Sequence, residues 1–189
     1  MGVVGVEWSV SRIPPPFNFK YWIRVYSIYE NDFENSYIYC EPSFSQLALR
    51  EPQVGHLAPE QMITSSYLIK EFDLKKDSVK ETEFKSDFTL TMEKSDTLSG
   101  FATYFETIFS QCHRKVMFTT SPRWKSTHWS QTAFYLKRGF QINGKDEITG
   151  SFKMKKNGEY FRDLDFELSF KYKNEFDNID EKNNYTQRY

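Results

Sequence analysis

Leu164-Asp165-Phe166-Glu167-Leu168-Ser169-Phe170-Lys171-Tyr172 is the run that decides the fold class. Leu164, Phe166, Leu168, Phe170 and Tyr172 alternate with Asp165, Glu167, Ser169 and Lys171. Successive side chains of a strand point to opposite faces, so this spacing buries one face of a sheet and wets the other. The pattern recurs upstream. Phe84, Ser86, Phe88, Leu90 and Met92 alternate with Lys85, Asp87, Thr89 and Thr91, and Ile148, Gly150, Phe152 and Met154 alternate with Glu147, Thr149, Ser151 and Lys153. Turn residues at Lys94-Ser95-Asp96, Asn143-Gly144-Lys145 and Asn157-Gly158 separate the runs. Many short strands with regular turns predict a mainly β fold, a barrel or sandwich. Phe101 to Phe109 is denser in apolar residues and suits a strand buried on both faces, although its Phe101, Phe105, Phe109 spacing also suits a helix.

Composition agrees. The 189 residues suit one domain with a real core, and 18 Phe and 12 Tyr against 8 Gly favour strands over glycine-rich phosphate loops. Charge is nearly balanced, with 25 basic and 26 acidic residues and no basic block, so direct nucleic-acid binding is not expected. Cys40 and Cys112 offer neither metal spacing nor a disulfide framework, and no metal site is expected. Glu7 and Trp8 cut short the apolar start, Val6 spoils a myristoylation signal at Gly2, and no run has transmembrane length, so neither a secretory leader nor a membrane partner is expected. Asn184-Tyr185-Thr186 is a chance sequon in such a chain. A cytoplasmic or nuclear location is expected.

Residues 1–19 read as a poorly organised leader, with Pro14-Pro15-Pro16 enforcing an extended segment. The barrel domain then occupies 20–189. Tyr21 to Tyr29 reads as its first strand. Residues from about 32 to 51 break the strand pattern. Phe33, Tyr37, Phe44, Leu47, Ala48 and Leu49 make an apolar helical face interrupted at Pro42, which predicts two short helices that form an arm. Pro59-Glu60-Gln61 reads as a first helical turn. The tail from Asn174 is expected to be loosely held, with a last edge strand near Tyr185.

Between Val116-Met117-Phe118 and Ala133-Phe134-Tyr135-Leu136 lies a polar, proline-broken loop, Thr119 to Thr132, with two tryptophans and a histidine. A loop hung between rigid strands is a frequent carrier of function, although a tryptophan-bearing turn also serves as a lid on a core. His113 reads as a surface residue of a turn. No phosphate loop, GxGxxG, nucleophile elbow or paired-histidine motif occurs.

Ser121-Pro122, then Thr127-His128-Trp129-Ser130-Gln131-Thr132, then Phe134-Tyr135 resembles the Thr-His-Trp loop of the protein arginine methyltransferases. Gly100 to Phe109, Val116 to Ser121, Ile148-Thr149-Gly150 and Arg162-Asp163-Leu164-Asp165-Phe166 resemble the C-terminal half of the type I enzymes. Phe33-Glu34-Asn35 and Ala48-Leu49-Arg50-Glu51-Pro52 match the ends of the family's dimerisation arm.

The resemblance spans about 20–189 and implies a β-barrel with an inserted helical arm. It also implies a missing Rossmann-like half that binds S-adenosylmethionine and supplies two glutamates for the substrate guanidinium. In the family the guanidino nitrogen attacks the sulfonium methyl in line, a reaction run by positioning and electrostatics.

The resemblance makes His128 the loop histidine, paired with a carboxylate from the missing half and able to help dispose of the arginine's proton, or else a structural tie. Trp129 would line the acceptor-arginine pocket and Thr127 would shape the turn. Phe33, Tyr37, Phe44 and Leu47 would face a homo- or heterodimer partner. Arginine-rich proteins are the implied substrates. Glu7-Trp8 is a faint match to the first catalytic glutamate, but Ser9-Val10-Ser11 departs from the family pattern, and Pro16 stands where the second glutamate would fall. Ser130 replaces a frequent lysine. This chain alone is therefore expected to bind no S-adenosylmethionine and to be inactive. The alternative is a non-catalytic module that joins a full-length arginine methyltransferase through its arm.

Overall fold

The computed structural model describes residues 18–26, 49–109, 112–114, 116–175 and 177–188. Its strands are β1 (Asn18–Tyr26), β2 (Gln53–Gly55), β3 (Tyr67–Asp73), β4 (Phe84–Thr91), β5 (Asp96–Phe109), β6 (Val116–Thr119), β7 (Gln131–Ile142), β8 (Glu147–Lys156), β9 (Leu164–Lys173) and β10 (Asn178–Gln187). The only helices among the described residues are 3-10 turns at Pro59–Gln61 and Val79–Thr82. The expected arm, with Phe33, Tyr37, Phe44 and Leu47, lies outside the described residues.

All pairings are antiparallel. One sheet runs β2-β7-β5-β1-β3 with β6 on β5, and the other runs β10-β9-β8-β4. Two seams join them into a ring. At one, Thr64 bridges to Met92, with Ser65 N–H on the Thr91 carbonyl at 2.9 Å and Glu93 N–H on the Ile63 carbonyl at 2.8 Å. At the other, Thr186 N–H donates to the Arg50 carbonyl at 2.8 Å, and the Tyr185 hydroxyl donates to the Tyr135 carbonyl at 2.8 Å. Closure removes the open edges that would otherwise pair with other chains.

The inward sets are those the alternation marks. Phe88, Leu90, Ile148, Phe152, Phe166, Leu168, Phe170 and Tyr172 share one core with Ile23, Phe101 and Phe134. Phe134 stands edge-on to Phe152, Phe166 and Tyr185 at 5.2–5.5 Å, a favoured geometry for aromatic rings. Gly150 sits between Phe88 and Phe170 in register, and a Cβ there would lie 2.5 Å from the Phe88 ring and 2.4 Å from the Ser169 carbonyl oxygen.

Two expectations are corrected or settled. Phe101–Phe109 is strand, part of β5, because it pairs with neighbours on both edges. The tail is not loosely held. β10 pairs with β9 from Asn178↔Lys173 to Gln187↔Leu164. Its run Asp180-Glu181-Lys182-Asn183-Asn184 hides the strand, because an outer strand draws on backbone pairing and on ion pairs such as Lys182–Glu167 at 2.9 Å and Lys171–Asp180 at 2.7 Å more than on apolar alternation.

Candidate functional site

β6 and β7 pair with the same edge of β5. Thr119 lies opposite Glu106, Thr120 N–H donates to the Phe105 carbonyl at 2.9 Å, and Thr132 lies opposite Thr103. Residues 121–130 are thus an excursion from one interrupted strand, with both ends fixed in a ladder. The Thr120 hydroxyl accepts the Phe105 N–H at 3.0 Å, and the Thr119 hydroxyl accepts the Ser121 N–H at 3.1 Å. Ser121 starts a turn closed by Trp124 N–H on its carbonyl at 3.0 Å.

Gln131 fastens the base of the loop. Its side chain is buried, donates to the Thr120 carbonyl at 2.6 Å and accepts the Leu57 N–H at 2.8 Å. One amide thereby joins both ends of the excursion to the segment after β2. Sequence reasoning missed this residue. The available signal was a Gln at the first position of an apolar strand, where a buried amide needs partners.

The loop carries an aromatic shelf. The Trp129 ring stacks on Phe118 with centroids 5.4 Å apart and planes at 23°, and it meets Phe105 edge-on at 6.3 Å. Phe105 and Phe118 are edge-to-face at 6.0 Å. The exposed His128 stands edge-on to Trp129 at 5.9 Å, and no carboxylate of the described residues pairs with it. The Thr127 hydroxyl donates to the Trp129 carbonyl and so folds the turn that presents both rings. Thr127, His128 and Trp129 are therefore brought together at the surface, with one face of Trp129 on the strands and 36% of the residue exposed. Arg123 pairs with Glu93, and Ser126 Oγ is 3.4 Å from His56 Nε2. His113 is exposed, as expected.

The shelf belongs to one end of the barrel. At that end lie the start of β1, the β3–β4 connection, the β5–β6 hairpin and the β8–β9 tip, while Arg123 reaches Glu93, beyond the other end of β4. Among the described residues, several exposed large apolar side chains are there too: Val79, Val116, Met117, Trp129, Tyr160 and Phe161. Single exposed apolar residues need no explanation, but their collection at one end marks an interaction face.

The comparisons with known proteins agree with this geometry. Residues 18–175 match the family described as the arginine methyltransferase oligomerization subdomain. Protein arginine N-methyltransferase 1 of Caenorhabditis elegans is 40% identical over 144 residues, which cover 76% of this chain and 41% of that protein. Protein arginine N-methyltransferase 8-B of Danio rerio is 38% identical over 141 residues, covering 74% and 34%. The chain thus spans less than half the length of these relatives. Among solved structures, the Trypanosoma brucei PRMT1 enzyme-prozyme heterotetrameric complex with AdoHcy superposes with a TM-score of 0.83 at 21% identity, covering 90% of this chain and 56% of that one. Arabidopsis thaliana protein arginine methyltransferase 10 gives 0.75 at 20% identity, covering 92% and 60%. The fold is shared with both. The chain belongs to the protein arginine methyltransferase family, and it corresponds to the C-terminal barrel of the type I enzymes.

Proposed function

We propose that this chain is the acceptor-side and assembly portion of an S-adenosylmethionine-dependent protein arginine methyltransferase, and that its shelf end docks the half that binds the donor. The carrying observation is the presence of exposed apolar side chains, Trp129 among them, at the end of the barrel where β1 begins. A domain preceding the barrel would join it at this end. Trp129 then walls the acceptor-arginine pocket, and Thr127 sets the turn that holds it. His128 faces a carboxylate of the donor-binding half, through which the proton lost by the guanidino group can leave. Arginine-rich proteins are the substrates, and Phe33, Tyr37, Phe44 and Leu47 form the dimerising arm. The protein acts in the cytoplasm or nucleus.

The described residues do not fit the methyl donor. They contain no α-helix, no glycine-rich strand-to-helix turn and no glycine at positive φ, so they offer no Rossmann-type cradle. No step of the transfer is assigned to them. The test is methyl transfer from labelled S-adenosylmethionine to an arginine-rich peptide. The chain alone is expected to give none, and turnover would overturn this reading.

A second reading follows the enzyme-prozyme assembly named for the Trypanosoma brucei structure. Here the chain is a non-catalytic partner that joins a full-length arginine methyltransferase through its arm. Co-purification with such an enzyme, lost on Phe44→Asp, supports it. No association under any condition removes it.

A further inference from the structure

Ser126 is an exposed hydroxyl of the Thr-His-Trp loop to which the proposed function gives no role. It ends Arg123-Trp124-Lys125-Ser126, four consecutive exposed residues. Arginine three residues before a serine, with a second base directly before it, is the spacing that serine kinases with acidic substrate grooves select. The guanidinium pairs there with carboxylates beside the phosphoryl donor. The setting supports the motif. The other Arg-x-x-Ser of the chain, Arg24 to Ser27, begins inside β1, where Arg24 lies opposite Ala102 of β5. Arg123 to Ser126 instead lies in the excursion between β6 and β7, outside every ladder. Trp124 N–H closes a turn on the Ser121 carbonyl, but no backbone group of Lys125 or Ser126 is hydrogen-bonded among the described residues. This part of the loop is therefore drawn out along a kinase groove at the cost of few bonds.

The hydroxyl also has a receiver. Ser126 Oγ stands 3.4 Å from Nε2 of the exposed His56. His56 follows β2 and precedes Leu57, whose N–H holds the Gln131 side chain at 2.8 Å. A contact that long between two neutral groups is weak. A phosphate on the same oxygen brings three strong acceptors and about −1.5 to −2 charge at neutral pH. A protonated His56 donates to it in a charge-assisted bond. Arg123 and Ser126 contact Glu93 and His56, whereas Trp129 rests on Phe105 and Phe118. The contacts of the modified oxygen are thus separate from those of the shelf.

We propose that Ser126 is a phosphorylation site, recognised through Arg123, and that its phosphate is held by His56. In the transfer, Ser126 Oγ bonds to the γ-phosphorus of a nucleoside triphosphate, and the bond from that phosphorus to the β–γ bridging oxygen breaks. The nucleoside diphosphate leaves, and the hydroxyl proton passes to a carboxylate of the kinase. The product ties the middle of the loop to the segment after β2, as Gln131 ties its base. It also sets the new charge next to Thr127, whose hydroxyl folds the turn that presents His128 and Trp129. A regulatory anion beside the wall of the arginine pocket is a consequence that rests on the proposed function; the modification itself does not.

The test is incubation of the full chain with labelled ATP and a serine kinase that selects arginine three residues before its target. Phosphate should appear on Ser126, as mapped by fragment masses, and Ser126→Ala should remove it. Arg123→Ala should slow its incorporation by about tenfold, the worth of a lost charge-assisted bond. Glu93→Gln frees Arg123 without removing it and should not slow incorporation. Phosphorylation should then slow amide hydrogen exchange across residues 121–130 by about threefold, in line with an exposed ion pair. His56 is exposed, so His56→Ala keeps the fold; it should take up phosphate equally and show no slowing. Absence of phosphate from Ser126, incorporation indifferent to Arg123, or slowing that persists in His56→Ala overturns the proposal. Methyl transfer enters neither readout, so the proposed function and this inference fail separately.

Discussion

Gln131 offers the sharpest stability test of how the loop is held. Gln131→Ala removes an amide that is buried between the Thr120 carbonyl and the Leu57 N–H. Each lost hydrogen bond costs about 1 kcal/mol net, and a buried group left unsatisfied costs about 1–3 kcal/mol. Two orphaned groups therefore set a loss of about 2–6 kcal/mol, or a fall in Tm of roughly 4–24 °C for a chain of this size. Gln131→Glu refines the argument. A carboxylate still accepts from Leu57, but it opposes the Thr120 carbonyl oxygen at the 2.6 Å contact unless it carries a proton. Burial and this repulsion raise its pKa in the fold. Its protonated form is the stable one, so this variant should gain stability as pH falls from neutral towards about pH 5, where wild type does not. Urea melts followed by tryptophan fluorescence report both effects, because Trp129 sits two residues away. A loss below about 0.5 kcal/mol for Gln131→Ala, or no pH dependence for Gln131→Glu, would refute the idea that this amide fastens the loop.

Other consequences are as direct. Gly150→Ala drives a Cβ to 2.4 Å from the immobile Ser169 carbonyl oxygen and should cost about 1–3 kcal/mol in thermal or chemical melts. Lys145 has φ 77° in the β7–β8 turn, so Lys145→Gly should raise stability by about 0.5–1 kcal/mol, and a loss would contradict that strain. Burial first, and then the Glu181 charge, push the Tyr185 hydroxyl well above the usual phenol value. Burial and the hydrogen bond to Asp146 raise Tyr172 as well. A raised pKa favours the protonated form in the fold, so this stability is complete below about pH 10 and is lost above it. Tyr185→Phe should flatten that alkaline loss while costing about 1 kcal/mol at neutral pH through the missing bond to the Tyr135 carbonyl.

The parts of the fold legible in the sequence were those where one face is buried. In β4, β8 and β9 a period of two separates Phe88, Phe152 and Phe170 from their polar neighbours. Of β10 only the stretch near Tyr185 was legible, because its Asn- and Lys-rich run pairs through the backbone, with Tyr185 as its main core contact. The Thr-His-Trp stretch announced itself by motif, and the structure joins His128 and Trp129 at the surface. Gln131 was not legible, because its role depends on where Thr120 and Leu57 come to lie, a property of non-local packing that local pattern does not encode.

The most direct test of the central claim is calorimetric titration of the folded chain with S-adenosylmethionine. On the proposed acceptor-side reading, these 189 residues should give no saturable heat while retaining a strong β spectrum. Saturable one-to-one binding would contradict the account and would place a complete donor site within this chain.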